Sequence, residues 1–166
     1  MSRGFVREGD QEEVPMIPKR ADLPDGVVNF VTPEGMDLLL EEKEELIRER
    51  ENLESTSESE RRIAKNLINA RLQLLNARIT DARLVDIKGN QRDEITFGAK
   101  VSLKNTRAGK TQTFRIVGVD EADIAKGKIS FLSPLARALM NKKVGEIVSL
   151  KRDKDEIVFE INGIAY

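Results

Sequence analysis

Two long stretches of three-four apolar spacing lie almost end to end in this chain, separated by a short run of serine, threonine and glutamate. In the first, Met36, Leu39, Leu46 and Leu53 form a seam with Lys43 and Arg50 filling the intervening positions, and Leu40 and Ile47 widen the stripe. Thr32-Pro33-Glu34-Gly35 supplies its start. Thr32 can cap free amides, Pro33 suits the first helical position and Glu34 complements the helix dipole. The spacing predicts a helix to about Glu54. In the second stretch Ile63, Leu67, Ala70, Leu74 and Ala77 form the expected apolar face, flanked by Ile68, Leu75 and Ile79, with an end near Leu84 before Lys88-Gly89-Asn90. Between them, Ser55-Thr56-Ser57-Glu58-Ser59-Glu60 contains two overlapping capping boxes, Ser55 with Glu58 and Ser57 with Glu60. Helices joined by so short a turn must pack antiparallel.

The charges agree with that pairing. Residues 34–54 hold nine acids and three bases, a balance of −6; residues 57–84 hold three acids and six bases, a balance of +3. Each exposed ion pair contributes well under about 1 kcal/mol, so burial of the apolar seam must supply most of the stability.

Past Asn90 the period changes from helical to alternating. Ile95–Leu103 and Thr111–Val117 read as strands around a turn at Asn105–Lys110, and Ile129–Phe131 as a short apolar strand. Ser133-Pro134 opens a short helix over Leu135–Met140, with Ser133 as its cap. Val144-Gly145 is a turn, and Ile147–Leu150 with Glu156–Ile164 forms a last hairpin around Asp153-Lys154-Asp155. The expected organisation is a poorly structured arm over 1–30, an antiparallel coiled-coil hairpin over 31–86, and an α+β domain with an antiparallel sheet and one short helix over 91–166. The arm carries Pro15, Pro18, Pro24 and the acids Asp10, Glu12 and Glu13, with no sustained periodicity.

Composition narrows the chemistry. The 166 residues include no Cys and no His, which removes thiol nucleophiles, the usual zinc ligands and a Ser-His-Asp triad. Any chemistry must come from carboxylates with a hard metal ion, or from a partner. Aromatics are only 4% of residues, poor material for a ligand pocket or for proline isomerisation. The net charge of −1 and pI near 5.8 argue against strong direct nucleic-acid binding. No apolar run approaches the roughly 20 residues of a membrane span, and Met1-Ser2-Arg3-Gly4-Phe5 lacks an apolar signal core. A soluble cytoplasmic protein without cofactor or metal of its own is expected.

Several segments resemble the Gre superfamily of transcript-cleavage and elongation factors. They are Val31-Thr32-Pro33-Glu34-Gly35, Phe97-Gly98-Ala99, Phe114-Arg115-Ile116-Val117-Gly118, Asp120-Glu121-Ala122-Asp123, Ile129-Ser130, Ser133-Pro134-Leu135-Ala136-Arg137-Ala138-Leu139 and Lys143-Val144-Gly145-Glu146, in order between Val31 and Tyr166. The resemblance implies a C-terminal domain like that of FK506-binding proteins, docked at the rim of the secondary channel of core RNA polymerase, with the coiled coil reaching down the channel. By motif, the docking surface is Ile129, Ser130, Phe131, Leu132, Ser133, Pro134, Leu135 and Ala136. A channel-inserting factor is expected to act as a monomer.

The tip departs from the family. Cleavage-stimulating members carry H-G-D-L-x-E-N-A-E-Y, whose acids help hold a polymerase Mg²⁺; here the tip is Ser55, Thr56, Ser57, Glu58, Ser59 and Glu60. Each arm is about two turns shorter than in cleavage factors, roughly 11 Å. A carboxylate that far back cannot ligate a metal, which needs contact at about 2 Å. The expectation is therefore a non-enzymatic elongation regulator that acts by occupying the channel. The alternative is a cleavage-stimulating factor using Glu58 and Glu60 as metal ligands. Arg61, Arg62 and Lys65 form a basic patch near the tip, positioned either for glutamates of the first helix or for phosphates and acidic loops in a channel.

Overall fold

A computed structural model describes residues 17–54, 57–89 and 92–166. Strand β1, Asn29–Val31, leads directly into helix α1, Pro33–Glu51. Thr32 caps α1 as expected: its hydroxyl oxygen accepts from the Gly35 amide at 2.9 Å, and Pro33 takes the first position. The helix stops at Glu51, three residues before the expected end at Glu54. Helix α2, Glu58–Asp81, starts from Ser57, whose hydroxyl accepts from the Glu60 amide at 3.4 Å. Ser55 and Thr56 lie outside the described residues.

α2 ends at Asp81 because the chain is diverted into strand β2, Ala82–Leu84, which pairs parallel with β1. Asn29, 2% exposed, reinforces the ending by donating its side-chain amide to the Arg78 carbonyl at 3.2 Å. That carbonyl belongs to the last turn, where helix carbonyls run out of amide partners of their own. The arm expected to be poorly structured over 1–30 is therefore different in its described part. Residues 17–28 form no helix or strand, but they lead into β1, and Arg20 is tied to two other elements.

The hairpin seam is built from Leu39 and Leu46 of α1 against Ile68, Leu72 and Leu75 of α2, with Val31 at the root. The expected α2 face was displaced by about one residue: Ile63 and Leu74 are 56% and 44% exposed, while Leu75 is fully buried. Both stripes have helical spacing. The one the fold uses, Ile68-Leu72-Leu75-Ile79, contains only large aliphatic chains, whereas the other includes Ala70 and Ala77. Each fully buried Leu or Ile contributes about 2 kcal/mol and an alanine far less, so the heavier stripe turns inward.

The C-terminal domain is a five-stranded sheet in the order β5-β4-β3-β7-β6. Its strands are β3 Lys100–Asn105, β4 Thr111–Val117, β5 Lys128–Ser130, β6 Ile147–Arg152 and β7 Asp155–Ala165. Helix α3, Pro134–Leu139, lies between β5 and β6. The sheet is mixed, since β5 joins β4 in parallel where an antiparallel sheet was expected. Ten residues, 118–127, carry the chain back through a 3-10 turn at Ile124–Lys126 and Gly127 at φ +70°, and so restart β5 in the direction of β4. Ile95, Ala99, Val101, Leu103, Ile116, Leu139 and Ile161 are fully buried in one core.

The first strand begins later than its alternation suggested. Gly98 at φ +88° bends the chain away from Ile95–Ala99, and a Cβ there would lie 2.7 Å from Ile87 Cγ1. Tyr166 holds this bend: its hydroxyl accepts from the Thr96 amide at 2.9 Å and donates to the Glu94 carbonyl at 2.7 Å.

Candidate functional site

The segment expected to dock divides into buried and accessible residues. Ile129 is 7% exposed and Ala136 fully buried, both in the domain core, so their side chains offer little surface. The reasons are local. Ile129 points inward from the middle of a three-residue strand, and Ala136 lies on the core side of α3 beside Leu139. Ser130 uses its hydroxyl to accept from the Leu132 amide at 3.1 Å, shaping the turn between strand and helix. Ser133 caps α3 by accepting from the Ala136 amide at 3.3 Å. Leu132 and Ser133 are half-buried, Leu135 packs partly on the core, and Pro134 is exposed at the first helical position. The accessible stretch of the segment is thus the turn from Phe131 to Pro134.

Phe131 belongs to an aromatic trio that crosses between the two halves of the chain. Its ring centroid lies 5.6 Å from Phe97 and 5.7 Å from Phe30, and Phe30 to Phe97 is 5.8 Å, with tilted and edge-on geometry. Phe30 comes from β1 and is 37% exposed. Sequence reasoning missed it, because a lone Phe in an apparently loose arm gives no periodic signal.

At the other end, Glu58, Ser59 and Glu60 are exposed in the first turn of α2, and Arg61, Arg62 and Lys65 follow on its exposed surface. Glu58, Ser59, Arg61, Arg62 and Lys65 line a shallow hollow there. Among the described residues, no three acidic side chains converge as metal ligands would.

The junction between hairpin and domain carries most of the buried charge. Glu121, 7% exposed, accepts from the Thr32 hydroxyl, and its other oxygen lies 3.4 Å from Lys128 Nζ without hydrogen-bond geometry. Glu34 of α1 reaches Arg115 and Lys128 of the sheet, each at 3.6 Å. Gly118 allows β1 to approach: a Cβ there would stand 2.5 Å from the Phe30 carbonyl oxygen. Arg20 joins α1 to the domain, forking onto Glu42 at 2.8 and 3.1 Å and donating through Nε to Asp120 at 3.1 Å. The hydrogen bond to Glu42 and the attraction of Asp120 raise the Arg20 pKa above the ordinary arginine value, outweighing the opposing effect of burial. Gly118, Asp120 and Glu121 were visible as motif residues, but the motif gave no hint that they serve the junction.

Residues 90–166 match the family described as transcription elongation factor, GreA/GreB, C-term. A transcription elongation factor GreA of Trichlorobacter lovleyi is 35% identical over 151 residues, covering 82% of this chain and 96% of that protein. The GreA of Thioalkalivibrio sulfidiphilus is 38% identical over 103 residues, 61% of this chain; the chain spans 65% of that relative's length. A solved structure, the prokaryotic transcription elongation factor GreA/GreB from Nitrosomonas europaea, shares 17% identity, covering 82% of this chain and 98% of that one with a TM-score of 0.42. The molecule is a two-helix hairpin mounted on a small α+β domain. The chain belongs to the GreA/GreB family of transcription elongation factors. Among the described residues no helix is long and apolar enough to cross a membrane.

Proposed function

We propose that this protein binds core RNA polymerase through the Phe131–Pro134 turn of its C-terminal domain, at the rim of the secondary channel, and inserts its hairpin as a monomer. It modulates elongation by occupancy rather than by helping to cut RNA, and does no catalysis of its own. The observation that carries this reading is the contrast between the two ends. A capped helix start presents Leu132 and Pro134 beside an aromatic trio, whereas the tip offers a helix N-terminus where, among the described residues, no three acidic side chains converge. With 19 residues in α1 and 24 in α2, the helices extend about 28 and 36 Å. An apolar and aromatic patch at a turn suits a helical partner, in which a few anchoring residues supply most of the affinity.

The test is binding to purified core polymerase by the wild type and by a Ser133→Ala, Pro134→Ala variant, followed by cleavage of a backtracked RNA. Binding that the variant loses, with no cleavage, supports the proposal. Wild-type binding accompanied by cleavage that Glu58→Gln, Glu60→Gln abolishes favours the alternative, for which the exposure of both carboxylates speaks. No binding by the wild type refutes both.

A further inference from the structure

We infer that the segment ahead of β1 is a strap that sets the angle between hairpin and docking domain, with Arg20 as its positioning residue. The functional part of this inference rests on the elongation reading above; the geometric part does not.

The contacts at the hairpin root cluster within a few residues. Phe30 lies against Gly118, Thr32 bonds Glu121, and Glu34 reaches Arg115 and Lys128. Together they fix where the hairpin is attached. A rod held at one end can still turn about that end, and only a contact further along resists rotation. Arg20 supplies that contact. It grips α1 at Glu42, nine positions beyond Pro33 and therefore about 13 Å along the helix. One ångström of slack at Glu42 becomes about 2 Å at the far end of α1, simply by leverage along a 1.5 Å per residue rise. The second leg joins the same point: Arg78 of α2 lies 3.6 Å from Asp120 and also donates to the Ala21 carbonyl of the strap. Strap, α2 and domain therefore meet at Asp120, whose side chain is 8% exposed, and Arg20 ties α1 to the same point through Glu42.

The chemistry requires an arginine. One guanidinium donates to two carboxylates on different elements, two N–H groups to Glu42 and one to Asp120. A lysine ammonium has no such fork and could hold one of them well at most. Removing Arg20 would leave Asp120, among the described residues, with only the Arg78 cation, at a distance and angle that make no hydrogen bond.

The protein has no cysteine, so spin labels can be placed cleanly at Asn66→Cys on α2 and Lys151→Cys on β6, both exposed. The measurement is the label-to-label distance distribution by pulsed electron paramagnetic resonance, in the full-length chain. Arg20→Ala should broaden the distribution about twofold, and Arg20→Lys should fall between it and the wild type. Glu42→Gln, which keeps Asp120 paired, should also broaden it and guards against a general loss of folding in Arg20→Ala. Binding to core polymerase should change by less than about twofold while the effect on elongation falls about fivefold, since the docking turn is untouched and only the aim is lost. An unchanged distribution in Arg20→Ala and Glu42→Gln overturns the strap, whatever the transcription assay reads. Broadening in a protein that does not bind polymerase even as wild type keeps the strap and removes the elongation reading.

Discussion

Thr32 and Glu121, 89 positions apart, share a buried hydrogen bond in which the cap of one helix is itself held by the other domain. The Thr32 hydroxyl accepts from the Gly35 amide and donates to the Glu121 carboxylate, so helix initiation and domain attachment use a single oxygen atom. Thr32→Val keeps the shape and loses both bonds. It should lower stability by about 2 kcal/mol, the sum of a lost cap and an unpaired buried carboxylate oxygen, read as a lower denaturant midpoint. Glu121→Gln, which retains an acceptor, should cost less. Equal losses in the two variants would disprove the shared role.

Gly118 marks the closest approach of β1 to the sheet. Gly118→Ala would force a Cβ to 2.5 Å from the Phe30 carbonyl oxygen, a backbone atom that cannot swing aside. The cost should be about 2 kcal/mol or more, accompanied by a change in near-ultraviolet circular dichroism as Phe30 leaves Phe97 and Phe131. A variant as stable as the wild type would mean that β1 is not docked this way.

Neighbouring leucines on α2 should behave oppositely. Leu75→Ala removes a fully buried side chain and should cost about 2–5 kcal/mol, whereas Leu74→Ala, at a position 44% exposed, should cost less than about 1. Thermal melts of the two variants decide the register of the hairpin seam, and the reverse order would favour the stripe of Ile63, Leu67 and Leu74.

Tyr166→Phe tests the bend that holds Ile95 in the core. It removes one acceptor for the Thr96 amide and one donor to the Glu94 carbonyl. A loss of about 1–2 kcal/mol in urea unfolding is expected, with the sheet otherwise intact. A loss below a few tenths would show that water replaces the hydroxyl freely.

Features set by neighbours in sequence were legible before the fold was known. The caps at Thr32, Ser57 and Ser133 depend on residues three positions away, and each is formed. The hairpin followed from two periodic stripes and a short turn. What failed depended on distant partners. The inward stripe of α2 was decided by packing against α1, and the end of α2 by β1, 49 residues from Arg78 in the Asn29 contact. β5 ran parallel because of a crossover that alternation cannot express. The docking segment was read as eight consecutive residues, although a motif cannot separate an exposed Pro134 from a buried Ala136 two positions later. The junction was the least visible part. Arg20 has no local pattern around it, and its meaning comes wholly from Glu42 and Asp120.

The parallel pairing of β1 with β2 brings both legs of the hairpin together at one clasp, Asn29–Val31 against Ala82–Leu84. The chain thus enters and leaves the hairpin at a single point, and beyond the Arg20 grip on Glu42 the rest is a free-standing mast. Seven residues added to each leg would raise the mast by about 10 Å without asking anything new of its footing. Reach can then drift by insertion or deletion near the summit while grip stays under separate selection, so one base can carry probes of many heights.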